Sequence, residues 1–309
     1  MSAFSIQSPR GVVMIRPHHF APNAETARDN AFQSDDASRS APAIAEAAYA
    51  EVTTAARKLE TAGVAVHLFE DESADRPDSV FPNNWFSTHS GGHIAIYPMF
   101  APSRRRERRA DIVEALKQRY RVQDVIDYSG LEYDGVYLEG TGAMVLDHAE
   151  RVAYAARSNR CNEVALERFC THFNFEPMVF DAYDADNRPI YHTNVLMHVG
   201  SEVCLVGLEA VADRKRREEI RARLEDGGRT TVELSHEQIA HFAGNAIELQ
   251  GSDGLLLAIS SRAWKSLTLT QRAKLEASCR PLLLDVPTIE LAGGSVRCML
   301  AGIHLSARV

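Results

Sequence analysis

The segment Ala292-Gly293-Gly294-Ser295-Val296-Arg297-Cys298-Met299-Leu300 holds the residue on which the chemistry of this chain turns. Two glycines admit a tight backbone angle at the entry to a predicted strand over 296–305, and a cysteine then stands between an arginine and an apolar run. A cation next to a thiol favours the anionic, nucleophilic sulfur, which makes Cys298 the candidate nucleophile. A half-buried structural cysteine would show the same local sequence. What separates the two readings is whether the segment belongs to a set.

It does. Asn84, Glu139, His192, Asn245 and Cys298 each stand where a polar or reactive residue opens a pair of short apolar runs, and the steps between them are 55, 53, 53 and 53 residues. Ser158-Asn159-Arg160 and Ser260-Ser261-Arg262 ride on the same period, 102 residues apart. A fixed step of this length marks repeated supersecondary units, here strand–strand–helix–strand. Strands are expected on either side of Gly91-Gly92, then over 143–146 and 152–156, 195–199 and 203–206, and 246–249 and 255–259. Helices are expected over 103–120, 163–172, 212–225 and within 262–279, with further strands at 121–127 and 281–286. Strand 12–16, helix 41–62 and strand 64–69 would complete the unit begun by the C-terminal strands. Units of this size cannot bury their apolar faces alone, so the expectation is α/β, one closed domain over residues 1–309 with pseudo-fivefold symmetry. A doubly wound sheet is disfavoured, because no GxGxxG or GxxxxGK[ST] follows any strand.

The 309 residues are 45% hydrophobic and 25% charged, ordinary for a globular protein, and the net charge of −8 argues against nucleic acid or an anionic membrane as partner. No apolar run approaches the roughly 18 residues of a membrane span. Met1-Ser2-Ala3-Phe4-Ser5 shows no basic stretch leading into an apolar one, so a cytoplasmic protein is expected. The cysteines at 161, 170, 204, 279 and 298 contain no CxxC pair and read as reduced thiols. Adjacent His18 and His19 are poorly placed to share a metal, and neither metal nor cofactor is expected. The run Arg104-Arg105-Arg106-Glu107-Arg108-Arg109 resembles a nucleic-acid patch, but Ile112, Val113, Leu116 and Tyr120 mark the buried face of the same helix. The arginines therefore read as a solvated face.

In a ring of units, equivalent positions point at one central place. Glu139, His192 and Cys298 would then converge as a carboxylate, a proton-transfer histidine and a thiol, the set that a cysteine hydrolase needs. Each has a bland reading alone: a turn-closing glutamate, a hydrogen-bonded histidine, a buried cysteine. Falling on one register, they point to catalysis.

The motifs Phe81-Pro82-Asn83-Asn84, Leu138-Glu139-Gly140, Ser158-Asn159-Arg160, His192-Thr193-Asn194, Gly244-Asn245 and Gly293 to Met299 resemble those of the guanidino-group-modifying enzymes. These are the arginine deiminases, dimethylarginine dimethylaminohydrolases and amidinotransferases, built on the five-bladed α/β propeller, or pentein, fold. The resemblance covers essentially the whole chain. It implies that Cys298 is the nucleophile, His192 the general acid/base and Glu139 the carboxylate beside it. Asn83, Asn84, Asn194, Asn245, Arg160 and Arg297 are the expected substrate-binding residues, with Arg160 set against a substrate carboxylate and Arg297 against the thiolate.

Two departures bear on the substrate. Arginine-using members usually carry Asp three residues after the Phe of the first motif, and often two after the catalytic His. Here those positions are Asn84 and Asn194. A guanidinium buried against neutral amides lacks its counter-charges, whereas Asn offers the donor and acceptor that suit a neutral ureido group. The chain is thus similar to citrulline-utilising hydrolases, which give ornithine, CO2 and ammonia, and the spacing Asn23, Asn30, Phe32-Gln33 resembles that subgroup. The rivals are an arginine or dimethylarginine deiminase-type hydrolase, an amidinotransferase, and a non-catalytic binder like the ribosome anti-association members of the fold. The expected partner is a small amino-acid substrate, with a homodimer allowed and no nucleic acid or membrane. Loops near 20–40 and 73–80 are candidate lids.

Overall fold

A computed structural model describes residues 6–308; the reading of Met1 to Ser5 lies outside the described residues. Among them, backbone pairing builds five three-stranded sheets. β1 (Gly11–Pro17) runs parallel to β2 (Ala65–Asp71) and reaches it through α1 (Ala41–Thr61). The next sheet has the hairpin β3 (Phe86–His89) and β4 (His93–Ile96), then α2 (Ala110–Arg119) and β5 (Asp124–Asp127) parallel to β4. The same order recurs as β6 (Met144–Asp147), β7 (Val152–Ala156), α3 (Glu163–Phe173) and β8 (Glu176–Phe180). It recurs again as β9 (Met197–Val199), β10 (Val203–Val206), α4 (Arg214–Asp226) and β11 (Thr230–Glu233). The last run is β12 (Ile247–Gly251), β13 (Gly254–Ser260), α5 (Leu269–Glu276) and β14 (Arg280–Leu284). Finally β15 (Ala301–Gly302) pairs antiparallel with β1, Val12 opposite Gly302, so the end of the chain completes its first sheet.

The local chemistry explains the repeat. Parallel neighbours cannot be joined by a hairpin, so each unit needs a helical crossover. α1 begins where Ser40 accepts a hydrogen bond from Ala43 N, and it buries Ile44, Ala48, Val52 and Leu59 along one stripe. α3 stops where Asn174 takes the left-handed conformation at φ 54°. The inner strands of successive sheets touch: β15 packs on β3, β6 on β9, and β9 on β12.

Three expected elements differ. Helix 103–120 is two helices, Pro102–Arg105 and α2, and the arginine run between them is not a solvated face. Arg105 binds the Met99 and Phe100 carbonyls, Arg106 the Asp75 carbonyl and Arg109 the Glu70 carbonyl, while Arg104 is buried. The helix within 262–279 breaks at Thr268, whose side chain caps α5 in a reciprocal box with Gln271. The strand expected over 296–305 begins as the helical turn Val296–Met299. Asn245 Oδ1 already takes the Ser295 and Arg297 backbone donors, so that stretch cannot offer them to a ladder. No helix among the described residues is long and apolar enough to cross a membrane.

Candidate active site

Four of the inner strands are entered through short helical turns, Pro82–Asn84 before β3, Gly140–Ala143 before β6, Thr193–Val195 before β9 and Val296–Met299 before β15. The Gly140–Ala143 turn packs against both Pro82–Asn84 and Thr193–Val195, and Val296–Met299 packs against Pro82–Asn84. The 53-residue register thus becomes spatial: Asn84, Glu139, His192 and Cys298 arrive from four units at neighbouring turns.

Glu139 is completely buried and anchors the centre. Its Oε2 lies 2.9 Å from His192 Nε2, 3.4 Å from Arg104 Nη1 and 3.6 Å from Arg160 Nη1, while Oε1 accepts the Phe100 N–H at 3.0 Å. Burial alone would raise the Glu139 carboxyl; Arg160, the His192 hydrogen bond and Arg104 together outweigh it and hold it below the usual carboxylate range. For His192 burial dominates, opposed by Glu139 and reinforced by the two arginines, and lowers it to about 4. The imidazole is therefore neutral at pH 7 and can accept a proton.

Gly142 permits the close approach of these groups. A Cβ there would lie 2.1 Å from Asn84 Nδ2 and 2.8 Å from His192 Nδ1. Gly293, at φ +79°, serves the other wall, where a side chain would run into Asn30.

Cys298 is 3% exposed, and its Sγ receives two amide donors, Asn194 Nδ2 and Asn245 Nδ2, each at 3.3 Å. Donors aimed at sulfur suit an anionic nucleophile. Burial pushes the thiols of Cys161, Cys170, Cys204 and Cys279 up to about 12.

Cys298, His192 and Asn84 line one cavity together with Asp78, Arg104 and Arg160. Its free volume is only about 10 Å³, room for about one water. Thr26 and Asn30 close it from the 20–40 loop, which is tied down by Asn30 Nδ2 on the Ala292 carbonyl and by Asp29 on Arg160 at 2.7 and 3.1 Å. The Asn23 spacing motif shapes the same loop, with Asn23 Nδ2 bonding Asp78 and Ser103.

The structure separates the other expected residues. Arg160 is in the cavity, over the Tyr191 ring, but already paired with Asp29. Asn83 is buried and turned to Thr141, away from the cavity. Asn245 braces the Cys298 turn: its Oδ1 takes the Ser295 and Arg297 N–H groups and its Nδ2 also bonds the Asn194 carbonyl. Arg297 does not line the cavity. Neighbours on one helical turn point in different directions, and its guanidinium binds the Leu300 carbonyl in a separate polar cavity with His148, His198 and Glu248.

Arg104 was hidden from sequence reasoning. It is 2% exposed, grips Glu107 with two hydrogen bonds of 2.9 and 3.1 Å, and faces Glu139. Pro102 marks only where the first helix starts; the break at 106–109 has no proline or glycine to announce it. Asp29 and Asp78 had no signal beyond lying in the candidate lid loops. Among the described residues no group of three or more His, Cys, Asp or Glu side chains is placed to hold a metal ion.

The model of the eukaryotic N,N dimethylarginine dimethylhydrolase family matches residues 16–305. The chain belongs to that family. It is thereby a member of the guanidino-group-modifying pentein superfamily. Among solved structures it is similar to the substrate-bound N-terminal domain of ArgZ, an arginine dihydrolase from the ornithine–ammonia cycle in cyanobacteria. That match has TM-score 0.72 and 16% identity over 95% of this chain and 97% of the other. AgrE in its complex with L-arginine matches with TM-score 0.75 and 15% identity, over 96% of this chain and 40% of the other. A DDAH from Pseudomonas aeruginosa in complex with citrulline matches with TM-score 0.64 and 16% identity, over 96% of this chain and all of the other. At these identities the likeness is one of fold. No curated protein matches the sequence.

Proposed function

We propose that the five sheets form a five-bladed α/β propeller and that the protein is a cysteine hydrolase of a ureido C–N bond, with citrulline as substrate. The observation that carries the substrate is a pair of amides. Asn84 Nδ2, in the cavity wall, and Asn194 Oδ1, on the side chain that bonds Cys298 Sγ, are buried without partners, one donor and one acceptor. A ureido group brings a C=O and an NH2 to such a pair. Glu139, engaged by three hydrogen bonds and the nearby Arg160 cation, has little left for a guanidinium.

In this mechanism the Cys298 sulfur attacks the ureido carbon while its proton passes to neutral His192. Asn84 donates to the developing oxyanion. His192 then protonates the departing ornithine nitrogen as the C–N bond breaks, leaving an S-carbamoyl enzyme. Water, losing a proton to His192, releases carbamate, which breaks down to CO2 and ammonia; the thiol takes back its proton. Arg160 and Arg104 supply the cationic end for the amino-acid carboxylate. Binding requires the 20–40 loop to move, because the closed cavity holds no more than about one water.

A second reading, a guanidino substrate, is favoured by the family match and by the arginine-bound relative. A panel of citrulline, arginine, dimethylarginine, agmatine and carbamoylputrescine, read by ammonia and amino-acid release, decides between them. Ornithine from citrulline, abolished in Cys298→Ser, is the expected result. Citrulline appearing from arginine would overturn it.

A further inference from the structure

Tyr191 stands beside His192 in the chain and meets four separate parts of the site. Its ring lies 4.4 Å from the His192 imidazole at 35°, and the Arg160 guanidinium stands 4.7 Å over it. Phe32, from the 20–40 loop, meets the same ring at 6.1 Å. Its hydroxyl donates to the Gly293 carbonyl at 2.6 Å, across 102 residues of chain. The backbone is held as well. The Ser158 hydroxyl donates to the Tyr191 carbonyl at 2.8 Å, so the motif that supplies Arg160 also fixes the ring beneath it.

The hydroxyl bond falls where the chain most needs one. Gly293, at φ +79°, and Gly294 have no side chains to restrain them, and a Cβ on Gly294 would stand 3.2 Å from Cys298 Cβ. Burial first, then Cys298, raises the Tyr191 phenol above its ordinary range, so the hydroxyl keeps its proton and stays a donor to this segment.

The ring is also a partition. Tyr191 lines the closed cavity that holds His192 and Cys298, and it lines a separate cleft of about 610 Å³ bordered by Asp29, Arg157, Ser158 and Arg188. Among the described residues it alone borders both. His192 sits on the dry side. Burial holds it down to about 4 against the pull of Glu139, with Arg160 and Arg104 lowering it further. Asp78 and Cys298 are the other titratable groups in its cavity. A smaller side chain at 191 would let water from the cleft reach the imidazole and relieve that burial.

We infer that Tyr191 is a positioning residue: it ties the glycine segment before Cys298 to the His192 side of the site and keeps the water of the cleft off the imidazole. This rests on the reading of Cys298 and His192 as the reacting groups, and not on which substrate they act upon.

The test uses Tyr191→Phe, which removes only the hydroxyl, and Tyr191→Leu, which removes the ring. With whichever panel substrate the wild type turns over, Tyr191→Phe should lower kcat at least fivefold and leave KM within twofold. The His192 imidazole, followed by NMR titration and assigned by its absence from His192→Asn, needs no substrate. It should titrate at least one pH unit higher in Tyr191→Leu and stay in place in Tyr191→Phe. Circular dichroism confirms the fold of each variant, with Tyr191→Met as the larger replacement should the leucine variant unfold. Full kcat in Tyr191→Phe would overturn the tie to Gly293, and an unmoved His192 in the ring-less variant would overturn the partition. A wild type that turns over no panel member would sink the functional reading, with the titration still deciding the partition. An active wild type with both variants indifferent would sink this inference alone.

Discussion

His192 Nε2 lies 2.9 Å from Glu139 Oε2, and this contact fixes which imidazole nitrogen is engaged by the carboxylate. Nδ1 is left toward Gly142 and Asn84. Glu139→Gln keeps the shape but removes the charge that balances Arg104 and Arg160. The expected result is a kcat lower by roughly 10² to 10⁴ with KM changed much less, and stability lower by roughly 1–3 kcal/mol because Arg104 and Arg160 each lose one carboxylate while keeping Glu107 and Asp29. Steady-state kinetics and urea unfolding check the two halves separately.

Gly142→Ala adds one methyl where Asn84 and His192 already meet. Overpacking costs roughly 1–3 kcal/mol, but the displaced groups are those the proposed mechanism uses as proton carrier and oxyanion donor. The variant should fold, with Tm lowered by several degrees, and lose most of its kcat. A variant with near-normal turnover would show that Asn84 and His192 tolerate displacement.

Asn245 acts on Cys298 through its amide and on the backbone of the same turn through its carbonyl oxygen. Asn245→Ala strands the Ser295 and Arg297 N–H groups, for a stability loss of roughly 1–3 kcal/mol. Asn245→Asp retains the acceptor for the two N–H groups but loses the donor to the Asn194 carbonyl and buries a charge, so it too should lose stability. It also places a carboxylate beside the sulfur, and the pH profile of Cys298 alkylation should move to higher pH. Stability losses in both variants with unmoved alkylation profiles would reduce Asn245 to a purely structural part.

Asn84→Asp puts an anion at the cavity wall. Citrulline kcat/KM should fall by about 10², while turnover of arginine should rise above background, since the added carboxylate supplies the counter-charge a guanidinium needs. Product analysis by amino-acid chromatography reads both at once.

Acid should destabilise the fold well before its carboxylates titrate. Burial lowers His192 to about 4 and His198 to about 3, and places His89 and His148 well below the ordinary histidine range. Below about pH 6.5 the unfolded chain gains protons that these folded histidines refuse, so unfolding free energy falls as pH drops from about 6.5 toward 4. Above about pH 7 these groups contribute no slope. Glu139, depressed in the fold, adds a further loss below about pH 4.5. Urea unfolding from pH 8 to pH 4 would show the slope, and a flat profile over pH 6.5 to 5 would contradict the neutral burial of these histidines.

Much of this was legible in the chain because a repeat translates sequence spacing into spatial equivalence. The strand–strand–helix–strand unit, the pairing of the C-terminal strand with β1 and the delivery of Glu139, His192 and Cys298 to neighbouring turns all follow from the 53-residue step. The step cannot say what a side chain does once it arrives. Asn84 and Asn245 occupy equivalent positions, yet one lines the cavity and the other braces the Cys298 turn. Arg297, next to Cys298, points into a different cavity.

The sequence by itself determined the period, the five units and the register on which the reactive residues fall, since these depend on chain order and apolar spacing alone. Only the tertiary structure decided the charge balance of the site. Arg104 meets Glu139 from 35 residues away and Arg160 meets Asp29 from 131 residues away. Such contacts depend on how loops outside the repeat fold back over its centre, and a buried ion pair leaves no periodic mark in a sequence. The direction of a side chain on a four-residue turn was likewise settled by its packing, and that separated Cys298 from the arginine beside it.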